Sequence, residues 1–218
     1  MGFSFGIRVT AKAPKNPRKP PVPPTRLPHD LRIWQGPLWR IHTSSGAFGA
    51  PWNNLREYGP IKAFRWEPHP LPVNVHPGLG VSYTTPSYVT AFAEVFQTAR
   101  AISFDKSRTL SAWSPIRPLH LLDLTTSTWL LRHRSSASLN GQPKNVCRAW
   151  AKEINLQLGA DIDGIYVNST MVGMPMVVLF SRARTAFPMA PAFSRNLTHI
   201  DVLTMARKAS VQLGWPIV

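Results

Sequence analysis

The chain has 218 residues, 44% of them hydrophobic, with 25 Lys and Arg against 10 Asp and Glu, a formal net charge of +15. That length and apolar content favour one substantial domain with a real core and exclude wholesale disorder. No apolar run approaches the roughly 20 residues of a membrane span, and the single cysteine, Cys147, excludes an internal disulfide. The charge calls for an anionic partner or substrate: nucleic acid, a phosphate-bearing molecule or an acidic protein.

The N-terminus "MGFSFGIRVTAKAPK" lacks the basic-then-apolar layout of a secretion signal, so a cytoplasmic protein is expected. Residues 11–28, "AKAPKNPRKPPVPPTRLP", are rich in Pro and positive charge, which reads as extended chain laid along a domain surface or used as a linker. An anchor for an acidic partner or nucleic acid is the sharper alternative. Residues 1–37 hold seven basic side chains and one acid, leaving 18 against 9 in the remainder, so the body is basic in its own right. The division is therefore a basic, proline-rich segment over 1–35 and a folded domain over 36–218.

Within that domain "PLWRIHT" (37–43) reads as a strand and 44–60 as a loop with some helix. The proline-rich stretch 63–80 cannot stay regular for long. "VSYTT" (81–85) alternates as a half-buried strand does. Thr85 is the expected N-cap and Pro86 the first residue of a helix running to about Ala101. Strands are expected over 118–125, 163–168 and 176–181. Helices are expected over 145–159, closed by Gly159, and within 199–213, closed by Gly214. Strands and helices mix without strict β-α-β alternation, which makes the class α+β, one domain with a mixed β core flanked by helices.

Several chemistries are missing. There is no dinucleotide G-x-G-x-x-G, no phosphate-loop G-x-x-x-x-G-K-[ST] and no G-x-S-x-G. The histidines are scattered without metal spacing, so no metal is expected. Cys147, on the first turn of a helix with no base beside it, reads as packed.

Glu94 is the acid of "GVSYTTPSYVTAFAEVF" (80–96). On a helical wheel Tyr88, Val89, Val95, Phe96 and Ala99 lie within about 60° of Phe92, and Glu94 lies about 200° away. Periodicity alone puts Glu94 on the solvent side. Yet its companions there, Ser87, Thr90, Ala91, Ala93, Gln97 and Thr98, are small and uncharged. A face of small residues with one carboxylate suits the wall of a cleft.

The blocks "LWRIH" (38–42), "RWEPHP" (65–70), "GVSYTT" (80–85), "AFAEVF" (91–96) and "DGIYVNSTMVGMPMVVLF" (163–180), in this order, resemble the RES-domain family, over roughly residues 36–215. The resemblance implies an ADP-ribosyltransferase-like fold and an enzyme that destroys NAD by phosphorolysis or hydrolysis. NAD would be substrate rather than cofactor, with inorganic phosphate as a co-substrate in the first case. It also implies a bacterial toxin whose partner is a small antitoxin with an Xre-like DNA-binding domain. Block by block it points to Glu94, Tyr83 and Ser169 as catalytic residues and to Arg40 and Arg65 as substrate-binding ones. Glu67 stands where the family often has Asp or Asn. The residue types suit the chemistry. Arginine forks bind a pyrophosphate, and a carboxylate stabilises an oxocarbenium-like ribose. The other class left open is a nucleic-acid-binding module, which the charge and eight tryptophans favour. All five site residues lie after Gly36, so deleting residues 1–28 is expected to leave NAD consumption mostly intact.

Overall fold

The computed structural model describes residues 14–218. Among these residues ten strands and four α-helices follow one another as β1 (Leu31–Trp34), β2 (Leu38–Thr43), β3 (Tyr58–Gly59), β4 (Asn74–Val75), β5 (Val81–Thr84), α1 (Tyr88–Phe96), β6 (Arg108–Trp113), β7 (Leu119–Asp123), α2 (Trp129–Arg132), α3 (Lys144–Leu158), β8 (Gly164–Asn168), β9 (Pro175–Phe180), β10 (Phe193–Asn196) and α4 (Ile200–Leu213). A five-stranded sheet runs β1-β7-β8-β9-β5, with β7 and β8 parallel and the other pairs antiparallel. A three-stranded antiparallel sheet runs β10-β6-β2. The two meet where Trp39 of β2 and Thr85, just past β5, exchange backbone hydrogen bonds of 2.7 and 2.9 Å. This is the α+β architecture with a mixed sheet.

Alternation along the strands builds two layers of core on the large sheet. Leu122, Ile165, Val178 and Phe180 meet Trp129, Trp150, Cys147 and Ile154 of α2 and α3. Leu119, Leu121, Tyr166, Val177 and Leu179 face the other way, onto Leu38 and Trp113. Both faces are buried, which is why "MVVLF" is an unbroken apolar run. A third cluster packs Phe92 and Phe96 of α1 and Val202 and Ala206 of α4 against Ile41 and Leu110. Cys147 is fully buried and its thiol donates to the Leu139 carbonyl at 3.3 Å. Burial, only partly offset by Arg65, pushes that thiol up, as suits a packed cysteine.

Several expectations shift. Ser87, not Thr85, caps α1: its Oγ accepts from the Val89 N–H at 3.2 Å. Thr85 lies two residues short of that position, and its hydroxyl instead donates to the Ser87 carbonyl at 2.6 Å. The helix stops at Phe96, and Arg100, at φ 49°, turns the chain where continuation to Ala101 is expected. Residues 44–57 contain no helix. Strands β1, β6 and β10 form where no element is expected. Strand β1 lies before residue 36, so the large sheet takes in part of the segment read as a tail. Among the described residues no helix is long and apolar enough to cross a membrane.

Candidate active site

Helix α1 is buried on a side that periodicity places away from the core. Thr90 and Ala93 are 2% and 0% exposed, whereas Val95 is 37% exposed. Thr90, Ala93, Glu94 and Gln97 follow the i, i+3, i+4, i+7 spacing of one helix stripe, and Glu94 is half-buried on it.

Opposite stands Ser169, one residue past β8. Its hydroxyl oxygen accepts from the backbone N–H groups of Met171 (3.0 Å) and Val172 (3.1 Å), which fixes the turn leading to β9. With those bonds received, the hydroxyl hydrogen is directed to Glu94 Oε1 at 2.5 Å. One bond thus joins two elements 75 residues apart in sequence. Burial raises the Glu94 carboxyl above its ordinary range. The Ser169 bond and the positive charges of Arg65 and Lys144 pull it back without cancelling the rise.

Arg65 reaches the site from the proline-rich segment. Its guanidinium donates to the Gln142 carbonyl and lies 3.6 Å from Cys147 Sγ. The adjoining Trp66 donates its indole N–H to Asn140 Oδ1 at 3.0 Å, and the Asn140 amide donates to the Asn168 carbonyl at 2.6 Å. Arg65, Asn168 and Ser169 are therefore fastened into one wall.

Tyr83 supports that wall from behind. Its ring stacks on Phe64 at 5.1 Å. The hydroxyl accepts from the Trp66 N–H (3.2 Å) and donates to Glu67 Oε1 (3.3 Å). Burial first, then the Glu67 charge, push this phenol well above its ordinary range, so it stays protonated with its hydrogen turned inward. Glu67 is fully buried and also receives Arg56, His69 Nδ1 (3.2 Å) and the Ile61 N–H (3.2 Å). Burial alone would raise it; the His69 and Arg56 bonds and the Arg56 charge more than reverse this, and the carboxyl is lowered.

Of the five residues the resemblance picks out, the structure groups Glu94, Ser169 and Arg65, with Tyr83 behind them. Arg40 is placed differently. Trp39 and Ile41 of β2 pack in the cluster of α1, so alternation turns Arg40 the other way, where it donates to the carbonyls of Trp52 (3.2 Å) and Asn54 (2.8 Å). Burial and the nearby Arg56 lower it to about 10. Among the described residues no hydrogen bond or ion pair joins Arg40 to Glu94, Ser169 or Arg65.

Sequence reasoning missed Glu67 as a hub, Asn140 as a clamp and Lys144 as a cation beside Glu94. Only Lys144 leaves a trace in the sequence. A lysine at the first position of a helix opposes the helix dipole, which is a hint of a task other than helix formation.

A RES-domain family model matches residues 37–200, a span that contains all five residues and begins after the basic segment. The fold also matches a chain of the crystal structure of the M. tuberculosis MbcT–MbcA toxin–antitoxin complex, with a TM-score of 0.55 and 17% identity over 83% of this chain and 92% of that one. At that identity the likeness is one of fold. No curated protein matches. The family match covers most of the chain and takes in the Glu94–Ser169 pair and Arg65, and on that ground this chain belongs to the RES-domain family.

Proposed function

We propose that this protein breaks the bond between nicotinamide and ribose in NAD and transfers the ADP-ribosyl group to phosphate or water, acting in the cytoplasm as the toxin of a toxin–antitoxin pair. The observation that carries the reading is the hydrogen bond from Ser169 to a half-buried Glu94 beside Arg65.

The chemistry follows from charge. The nicotinamide ring is cationic on its ribose and leaves as a neutral base, taking the pair of electrons of the C–N bond. Positive charge then builds on the ribose, and a carboxylate facing it lowers that barrier. Glu94 in its ionised form is suited to the task. The Ser169 hydroxyl holds one of its oxygens, and the other is the side open to substrate or nucleophile. The new bond forms from the anomeric carbon to an oxygen of phosphate or water; with water, a proton is released. Arg65 and Lys144 supply positive charge for the pyrophosphate, Arg65 as a planar fork. Tyr83 positions the Arg65-bearing segment.

Belonging to the RES family supports the toxin role, as does the fold shared with a chain of a toxin–antitoxin complex. The proposed partner is an antitoxin with an Xre-like DNA-binding domain. The net charge of +15 favours a second reading, a basic nucleic-acid-binding module without catalysis.

Purified protein incubated with NAD, with and without phosphate, separates these. The enzyme reading expects loss of NAD, release of nicotinamide, and either a phosphorylated or a free ADP-ribose product. Intact NAD, together with tight DNA or RNA binding at physiological salt, would overturn it in favour of the second reading. Growth arrest on expression, relieved by a neighbouring small gene, is the expected sign of the toxin role.

A further inference from the structure

Residues 14–30 precede the span that matches the family model, yet the body grips them. The fully buried Trp150 and Trp129 donate their indole N–H groups to the carbonyls of Pro17 (2.9 Å) and Thr25 (2.6 Å). Asn16 makes the densest contact. Its Oδ1 accepts from Ser135 Oγ (2.9 Å), Ser136 Oγ (2.9 Å) and Ser136 N–H (3.1 Å), and its Nδ2 donates to Ser138 Oγ (2.8 Å).

These serines begin a short irregular stretch that ends at the candidate site. A 3-10 turn spans Ala137–Gly141, and Leu139 is its one buried residue. Farther along, Asn140 takes the Trp66 indole and holds the Asn168 carbonyl, and the Gln142 carbonyl takes Arg65. A stretch of eight residues, 135–142, is thus pinned at its start by Asn16 and pins at its end both Arg65 and the residue before Ser169. A single 3-10 turn with one buried side chain has little of its own to fix its place.

We propose that Asn16 is a positioning residue for the active site: by bridging Ser135, Ser136 and Ser138 it fixes the 135–142 stretch, and through it the Arg65 guanidinium. The proposal rests on the NAD reading and adds to it, because it gives the segment outside the family span a part in substrate binding and reverses the dispensability expected of the tail. Asn16 and Ser136 are half-buried and Ser138 is exposed, while Ser135 is buried; without the amide the Ser136 and Ser138 hydroxyls turn to water, the Ser135 hydroxyl gives up this bond, and the fold persists. What relaxes is the position of Arg65, and the effect falls on NAD binding more than on bond cleavage.

The test is steady-state NAD kinetics and thermal melting on the full chain carrying Asn16→Ala, Asn16→Asp or Ser136→Ala. Asn16→Ala is expected to raise KM for NAD about 5-fold, the scale of one lost hydrogen-bonded anchor, with kcat within about twofold of wild type. Asn16→Asp keeps the acceptor oxygen and should recover most of that loss. Ser136→Ala, which removes one of the four contacts from the other side and keeps the backbone N–H, should raise KM in the same direction by a smaller amount, with the melting temperature little changed. An active wild type whose Asn16→Ala variant keeps a normal KM overturns the proposal alone, and so does an Asn16→Asp variant as impaired as Asn16→Ala. A wild type that leaves NAD intact overturns the functional reading beneath it as well.

Discussion

Glu67 and Glu94 are two glutamates withdrawn from water in the same protein, and their surroundings are opposite. Burial acts first on each and raises each. At Glu67 the molecule answers with Arg56, His69, a backbone N–H and the Tyr83 hydroxyl, and the carboxyl ends lowered. At Glu94 it answers with one serine hydroxyl and two cations that make no contact with it, and the carboxyl ends raised. A charge satisfied on all sides is built into the fold. A charge left short of partners has room for one more, and under the proposed function that partner is the positive charge developing on a bound substrate. Under the proposed function the contrast separates a structural carboxylate, Glu67, from a working one, Glu94.

The largest expected effect is on stability. Glu67→Gln removes the charge that Arg56 and His69 are gathered around and is expected to cost on the order of 3 kcal/mol in denaturant unfolding, as removal of one partner from a buried ion pair does. A variant as stable as wild type would erase the contrast from the Glu67 side. The two glutamates also oppose each other in pH dependence. The lowered Glu67 contributes stability that is present above the ordinary carboxylate range and lost as pH falls through its folded value. The raised Glu94 does the reverse: its contribution is present below the ordinary range and lost as pH rises through its folded value. Glu67→Gln should therefore flatten the acid side of the stability curve.

Next comes Ser169→Ala, which takes the only hydrogen bond from the Glu94 carboxylate among the described residues. NAD turnover should fall about 10-fold, the scale of one hydrogen bond to a charged group. Because that bond lowers Glu94, its loss should also move the acid limb of the rate profile to higher pH. A limb that stays in place would mean that Glu94 is not the group whose ionisation the rate reports. A smaller effect is expected of Arg65→Lys, a rise in KM with kcat less affected, since a point charge replaces a planar fork. Smallest of all is Val95→Gln, on the outer side of α1, with a stability change within about 0.5 kcal/mol. A large loss there would return the buried side of the helix to where periodicity puts it.

Much of the frame can be read in the chain. Strands β8 and β9 stand out because a sheet covered on both faces gives continuous apolar runs. Helices α3 and α4 announce themselves by their closing glycines, and Gly214 takes the left-handed φ of 66° that ends α4. Strand β6 hides because Thr109 and Ser111 face a polar layer, where Ser111 bonds His42 (3.1 Å) and Ser194 (2.9 Å), so the strand shows no clean alternation. Helix α1 misleads for a related reason. It is enclosed on more than one side, and a wheel that assumes one wet face assigns Val95 and Glu94 the wrong way round. The pairing of Glu94 with Ser169 and the grip of Trp129 and Trp150 on the N-terminal segment join residues 75 to 133 positions apart, beyond the reach of any local pattern. The small residues around Glu94 hint at its partial burial; for Ser169 as its partner the family resemblance is the one signal in the sequence.

Turnover of NAD by Glu94→Gln, measured beside its melting temperature, bears most directly on the claim that Glu94 is the working carboxylate. Glutamine keeps the bulk and can still accept the Ser169 hydrogen bond, so the fold loses nothing. Relief of the buried charge should leave the melting temperature at neutral pH equal to wild type or slightly above. The account predicts that stability together with a fall in turnover of about 100-fold or more, the usual loss when one preorganised electrostatic contact to a transition state is removed. A folded Glu94→Gln protein consuming NAD at near the wild-type rate would contradict it and leave the Glu94–Ser169 bond as a structural tie.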